Sequence, residues 1–352
     1  MPTSPNAFAS LVGIDHPVVL GPFGGLSSVE LTATVSNGGG LGSFGLYGYT
    51  PEHIRETGEA LRAQTDRPFA LNLWLPIPGA VEPEVTNEDF ERYLAPLRPY
   101  FDELGVAYPV RPTRFVPDVE EQIAATLDVA PAAISVVFGI PSANFLDAAH
   151  TRGIVVIGTA TTPDEAIALN AAGVNAIVAS GSEAGGHRVS FLRPAEESLV
   201  GTFVLVPQVV DVVDVPVIAA GGIADARGVR AVMDLGADAA QVGTAFLATR
   251  QSAASEVHRA ALYGPEASRT VLTRALSGRL ARGIPNRITR EITEPAPFPV
   301  QNWLTSQFRP TAAERGNAEL LSLWAGQAAR LATETDAAVL LRALVEGTTT
   351  ER

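Results

Sequence analysis

Short apolar runs rich in β-branched residues alternate with segments of helical periodicity along this chain, and the alternation returns eight times. The runs at 16–23, 41–46, 68–75, 134–138, 154–158, 175–179, 215–220 and 239–242 carry almost no charge, as strands buried on both faces of a parallel sheet do. The helices between them have legible starts. Thr50-Pro51-Glu52 joins an N-cap to a first-turn proline, and Thr162-Pro163-Asp164-Glu165 has the spacing of a capping box. Residues 27–38 put Val29, Ala33 and Ser36 on one face, and a helix over 142–151 follows the fourth strand. Val229, Val232, Met233 and Gly236 recur at i, i+3, i+4, i+7, and an eighth helix is expected at 252–262.

Eight strand–helix units over roughly 260 residues match a (β/α)8 TIM barrel. A doubly wound sheet rarely needs so many consecutive parallel units. The expected fold class is therefore α/β, a TIM barrel with an insertion after strand three and a small, mostly helical C-terminal domain. The barrel is assigned to 1–265. Within it, 76–118 breaks the rhythm with scattered prolines and a helix at 87–104, and a helix near 119–127 resumes the pattern. From 266 to 352, the segments SGRLARGIPNR and EPAPFPVQ lead into helices near 311–330 and 336–346, expected to pack beside the barrel.

Composition removes much chemistry. Among 352 residues there is no Cys, and all 25 basic residues are Arg. That excludes thiolate metal sites, a cysteine nucleophile, a Schiff-base lysine and a Walker-type phosphate loop. A net charge of −13 without a basic run argues against a nucleic-acid partner. The most apolar stretch, 203–223, is broken by Pro207, Gln208, Asp211, Asp214 and Pro216, so it does not read as a membrane span. The first cationic side chain is Arg55, so no presequence is read and a cytoplasmic protein is expected.

Barrel enzymes work at the C-terminal ends of their strands. Three of those loops are glycine-rich here. Ala220-Gly221-Gly222-Ile223-Ala224-Asp225 follows strand seven, and Gln241-Val242-Gly243-Thr244-Ala245 closes strand eight. Either alone reads as a tight βα turn; together, at the strands that commonly build a phosphate site, they favour a bound phosphate held by amides. After strand six comes Ser180-Gly181-Ser182-Glu183-Ala184-Gly185-Gly186-His187-Arg188. His16, His53, His150 and His258 read as structural residues, and no histidine pair is spaced for a metal. His187 differs by its place on a catalytic-end loop, where an imidazole can exchange a proton. Glu183 either orients it or caps a turn.

EAGGH after a strand, with AAGGI and QVGTAF downstream, resembles the nitronate monooxygenase family, once called 2-nitropropane dioxygenases. GPFGGLSSVELTATVSNGGGLGSFG, DRPFALNLWLP and LWAGQAARL are similar to further motifs of that family, so the resemblance spans nearly the whole chain. It implies FMN at the barrel mouth, its phosphate on the amides of Gly221, Gly222, Gly243 and Thr244. The flavin ring would lie near Pro22, Phe23 and Gly24, with Asn72 at its polar edge and Ser180, Gly181, Gly186 and Gln241 around it. Gly185 would let the strand-six loop approach the flavin, and His187 matches the catalytic histidine. Two positions depart. The family usually has Gln where Ser180 stands. Many relatives have a Lys after strand four, where this chain reads Phe138-Gly139-Ile140-Pro141-Ser142; the N-terminus of the next helix would supply positive potential instead.

The resemblance thus implies a flavin-dependent oxidoreductase that uses O2 to convert a nitronate, or a nitroalkane deprotonated by His187, into a carbonyl compound and nitrite. An NAD(P)H-dependent reductase of an enoyl thioester or quinone is the alternative with the same cofactor. A phosphosugar-type barrel without flavin is a third reading. Trp74, Phe138 and Trp303 are either walls of the site or core aromatics, and the roof is expected from 76–118, the loop after His187 and the C-terminal segment. A homodimer is left open.

Overall fold

The computed structural model describes residues 6–76 and 84–348, so residues 77–83 of the expected insertion lie outside it. Among the described residues eleven strands run in chain order: β1 Val18–Leu20, β2 Gly42–Gly45, β3 Phe69–Trp74, β4 Ala133–Val137, β5 Val155–Ala160, β6 Ala176–Ser180, β7 Gly186–His187, β8 Val217–Ala220, β9 Ala239–Val242, β10 Val271–Thr273 and β11 Ala281–Gly283. Eight of them form one all-parallel sheet, ordered β1-β9-β8-β6-β5-β4-β3-β2. A bridge between Val19 and Leu41 joins its two ends. The sheet is a (β/α)8 barrel.

Alternation along these short strands divides inside from outside. Val19, Leu41, Ala70, Ala133, Val155, Ile157, Ala176, Val178, Ile218 and Ala239 pack with Phe8, Val12 and Ile14 into one buried cluster. The helix Ala7–Val12 contributes Phe8 and Val12 to that cluster, so it plugs the barrel at the end away from the glycine-rich loops. One step further along each strand the same inward row turns polar or small: Asn72, Ser135, Thr159, Ser180, Ala220 and Gln241 all face a cavity. Register keeps them level, with Asn72 beside Ser135, and Ala220 between Ser180 and Gln241.

The helices start where cap residues stand. Thr50 accepts from the His53 amide, Ser142 from Phe145 and Asp225 from Arg227 and Gly228. Thr162 caps the helix Pro163–Ala172 as expected, but the reciprocal half of the capping box is absent. Glu165 instead turns its fully buried carboxylate to Thr161 N and Oγ1, both at 2.7 Å, and to the amides of Phe191 (2.6 Å) and Leu192 (3.2 Å). That tethers the segment after His187 to the end of β5.

Beyond β9 the chain departs from the expected pattern. The eighth helix expected at 252–262 is Glu256–Tyr263, and a further short helix, Thr244–Leu247, stands between it and β9. The helix Ala337–Glu346 packs against Val29–Asn37 and Ala226–Asp234, the helices that follow β1 and β8. It therefore occupies the outer-ring place of the helix expected after β9. The stretch expected as helical near 311–330 holds the end of the helix Arg309–Glu314 and two single 3-10 turns. In the insertion, Asn87–Leu94 and Arg98–Leu104 are helices separated by a 3-10 turn at Pro96. Among the described residues no helix is long and apolar enough to cross a membrane.

Candidate active site

The loops at the C-terminal end of the barrel surround a cavity of about 890 Å³, within the range of roughly 300–1,000 Å³ typical of small-molecule sites. Pro22, Phe23, Gly24, Asn72, Ser180, Gly185, Gly186, His187, Gly221, Gly222, Gln241, Gly243 and Thr244 all line it. Gly181 does not: a side chain there would run into Thr202, so this glycine serves packing. The roof comes from Phe115, Val116 and Pro117 of the insertion, from Val189, and from a C-terminal arc between Asn302 and Ala328. Trp74 and Trp303 are walls; Phe138 is buried and does not line the cavity.

At one end of the cavity the backbone supplies donors. The N–H groups of Gly221, Gly222, Gly243 and Thr244 have no acceptor among the described residues; Gly222 is exposed and the other three are half-buried. Gly221 and Gly222 hold φ of 106° and 74°, which only glycine adopts cheaply, so two successive amides can turn toward the cavity. Thr244 Oγ1 accepts from Gly326 N at 2.9 Å, which ties the C-terminal segment to the same end. This is the donor set a phosphate needs. On the floor, Asn72 Nδ2 donates to Ser135 Oγ (2.9 Å) and O (3.2 Å), leaving Asn72 Oδ1 without a partner among the described residues.

The strand-six loop is held from outside by arginines. Arg188, only 1% exposed, donates to the carbonyls of Ser180 (2.8 Å) and Gly181 (2.7 Å); Arg282 donates to that of Ser182 (2.9 Å). Glu183 does not meet His187. Its carboxylate accepts from Thr202 N (2.9 Å) and Oγ1 (2.9 Å), capping the helix Thr202–Val210, whose N-cap Gly201 has no side chain to do so. A Cβ on Gly185 would stand 2.6 Å from Gly326 N, so that glycine is required by the C-terminal backbone packed on it.

His187 is set by a rung of sheet. β7 pairs with β11, and β11 with β10, in a small antiparallel sheet that places Ala281 opposite His187 and Arg282 opposite Gly186. The imidazole sits among Trp74, Phe138, Phe298 and Trp324, with centroids 5.1–6.4 Å away, and its Nε2 is 2.8 Å from Ser277 Oγ.

Residues 6–347 match the family model of nitronate monooxygenases. A nitronate monooxygenase of Pseudomonas aeruginosa is 41% identical over 349 residues, covering 97% of this chain and 98% of its own. A nitroalkane oxidase structure from Streptomyces ansochromogenes superposes with a TM-score of 0.88 at 37% identity, over 96% of each chain. The chain belongs to the nitronate monooxygenase family. FabK from Thermotoga maritima is similar at a greater distance, with a TM-score of 0.76 and 26% identity, over 98% of this chain and 96% of that one.

Electrostatics give this oxidoreductase of the nitronate monooxygenase family its character. Burial, then the guanidiniums of Arg279 and Arg309, push His187 down to about 3, so its imidazole is neutral. Arg309 lines the cavity and has no carboxylate partner among the described residues; it donates to Ser322 Oγ (2.8 Å) and to Asn302 (3.3 Å). Burial lowers it to about 10, which still leaves it charged. Tyr47, raised to about 12 by burial, accepts a hydrogen bond from Asn302 Nδ2 (3.0 Å) and stays protonated.

The expected helix-dipole substitute after strand four is not there. No residue from 139 to 145 lines the cavity, and the helix Ala143–Thr151 is capped by its own Ser142. The charge beside this loop is Arg279, its guanidinium carbon 4.3 Å over the Phe138 ring. Phe138 holds φ at 73°, a strained conformation for an aromatic residue that costs on the order of 1–3 kcal/mol. Ser135 and Thr159 were open to detection as lone polar residues in apolar strands at the level of Asn72. Tyr47, Ser277, Asn302, Arg309, Ser322 and Trp324 had no such signal, because they enter from irregular loops and the C-terminal segment.

Proposed function

We propose that this chain uses FMN and O2 to oxidise nitronates to a carbonyl compound and nitrite, and that His187 extends the range to neutral nitroalkanes. The observation that carries the reading is the polarity of the cavity: partnerless amides at one end, and a neutral imidazole beside a carboxylate-free arginine at the other. The first fits a dianionic phosphate without lysine. The second fits an anionic or weakly acidic substrate.

The amides of Gly221, Gly222, Gly243 and Thr244 would hold the FMN phosphate. Pro22, Phe23, Gly24, Gly185 and Gly186 would line the ring system, with Asn72, Ser180 and Gln241 at its polar edge. When bound, the flavin offers one-electron exchange between an electron-rich nitronate and O2. Two nitronates and one O2 balance to two carbonyl compounds and two nitrites. Arg309 attracts the nitronate anion, a role that His187 cannot share while neutral. With a nitroalkane, His187 takes the α-proton first, its imidazole held among the rings of Trp74, Trp324 and Phe298. The test is a visible spectrum of the purified protein, followed by oxygen uptake and nitrite release across a nitronate panel. A colourless protein that cannot be reconstituted with FMN, or a yellow one inert to every nitronate, refutes the reading.

A further inference from the structure

The imidazole of a neutral base carries one proton on two nitrogens, and which nitrogen is free decides which one can accept. Ser277 Oγ makes three contacts: His187 Nε2 at 2.8 Å, Arg279 O at 3.0 Å and Arg279 N at 3.3 Å. A hydroxyl has one proton to give and two lone pairs. A carbonyl can only accept, so the hydroxyl proton goes to Arg279 O. An amide can only donate, so one lone pair takes Arg279 N–H. The remaining lone pair faces Nε2, and all three contacts are satisfied only when Nε2 carries the proton. Ser277 is fully buried, where leaving one of these groups unpaired is costly. His187 Nδ1 has no partner among the described residues and is not sealed from the cavity that the side chain lines.

The turn that presents this hydroxyl is pinned on every side. Gln301 Nε2 donates to Ala275 O (2.6 Å) and Thr305 Oγ1 to Leu276 O (2.7 Å), both from the buried face of the helix Val300–Ser306. Gly278 N returns to Arg274 O (2.7 Å), with Gly278 at φ 81°. Arg279, next in the chain, is locked by Ser190 O (2.6 Å) and the Phe138 ring. Such anchoring holds a group to the narrow tolerance that catalysis requires.

We propose that Ser277 is a positioning residue that fixes His187 in its Nε2–H tautomer, and so makes Nδ1 the nitrogen that accepts the substrate proton. The inference rests on the reading of His187 as a base, but the tautomer itself does not depend on any substrate. The experiment is nitrogen-15 NMR of the FMN-loaded full chain with labelled histidine, the His187 signals identified by their loss in His187→Asn. Wild type is expected to show a protonated Nε2 and a bare Nδ1. In Ser277→Ala the fixed preference should disappear, and kcat for a neutral nitroalkane should fall about ten- to a hundred-fold with KM little changed. Ser277→Thr, which keeps the hydroxyl, should restore both. A wild-type proton on Nδ1 overturns the proposal even if no variant folds, and so does Ser277→Ala with an unchanged tautomer. If the protein oxidises no nitronate at all, the wild-type spectrum still decides the claim about Ser277.

Discussion

Acidification separates this base from an ordinary histidine. A histidine at its usual value of 6.5 would be only about 3% neutral at pH 5, so a reaction needing the free base would slow about thirty-fold between pH 8 and pH 5. His187 lies at about 3, which leaves it about 99% neutral at pH 5. The nitroalkane kcat/KM should therefore stay flat to within about twofold over that interval. Burial is the main cause, and the charged neighbours Arg279 and Arg309 add to it. Replacing Arg309 by Met removes the smallest of the three effects, so it should raise the imidazole's value only slightly and leave the profile flat above pH 5, while weakening nitronate binding. The assay is initial nitrite release from freshly dissolved neutral nitroalkane, with flavin absorbance recorded at each pH to show that the enzyme is intact. An acid limb near pH 6–7 in the wild-type profile would refute the assignment of a neutral base.

His187→Asn should cut nitroalkane turnover by about 10²- to 10⁴-fold while sparing most nitronate oxidation; equal losses measured by oxygen uptake would remove the base from the mechanism. Anaerobic mixing with NADH or NADPH should leave the flavin absorbance unchanged, whereas rapid bleaching would point to a reductase. Glu165→Gln places an amide nitrogen against a backbone N–H that needs an acceptor, Thr161 N on one side or Phe191 and Leu192 N on the other, at a cost on the order of 3 kcal/mol, visible as a melting temperature lowered by several degrees. His187 and His258, the latter pushed to about 4 mainly by burial, take up protons at pH 5–6 only when the chain unfolds. Unfolding therefore becomes easier as pH falls below 6.5, and the two together should remove about 2 kcal/mol between pH 6 and pH 5. His258→Gln should remove about half of that dependence in urea titrations; an unaltered slope counts against it.

The barrel was legible because its strands are buried on both faces and its helices carry local caps, both properties of residues near one another in sequence. Thr50, Ser142 and Asp225 each cap the helix that begins at the next residue. Where long-range contacts compete, local signals mislead. Glu165 has the spacing of a capping box, yet it is drawn to Phe191 and Leu192 because a buried carboxylate gains more from unpaired loop amides. The last helix of the ring was hidden for the same reason. Nothing within Ala337–Glu346 says that it will lie between helices that begin at Val29 and Ala226.

The candidate site divides along the same line. Its amide end was readable from glycine spacing, since φ near 106° and 74° at Gly221 and Gly222 is a local demand. The other end was readable only as His187, because Ser277, Arg279 and Arg309 come from about 90–120 residues away in the C-terminal segment. Yet the absence of lysine bears on that end most. A buried lysine beside an imidazole can shed its own proton and relieve the repulsion. Arginine does not: Arg279 and Arg309, each lowered only to about 10, remain charged across the working range. Burial first, and guanidiniums that keep their charge second, therefore hold this histidine neutral from pH 5 upward. The same cations attract an anionic substrate while the resting imidazole stays uncharged.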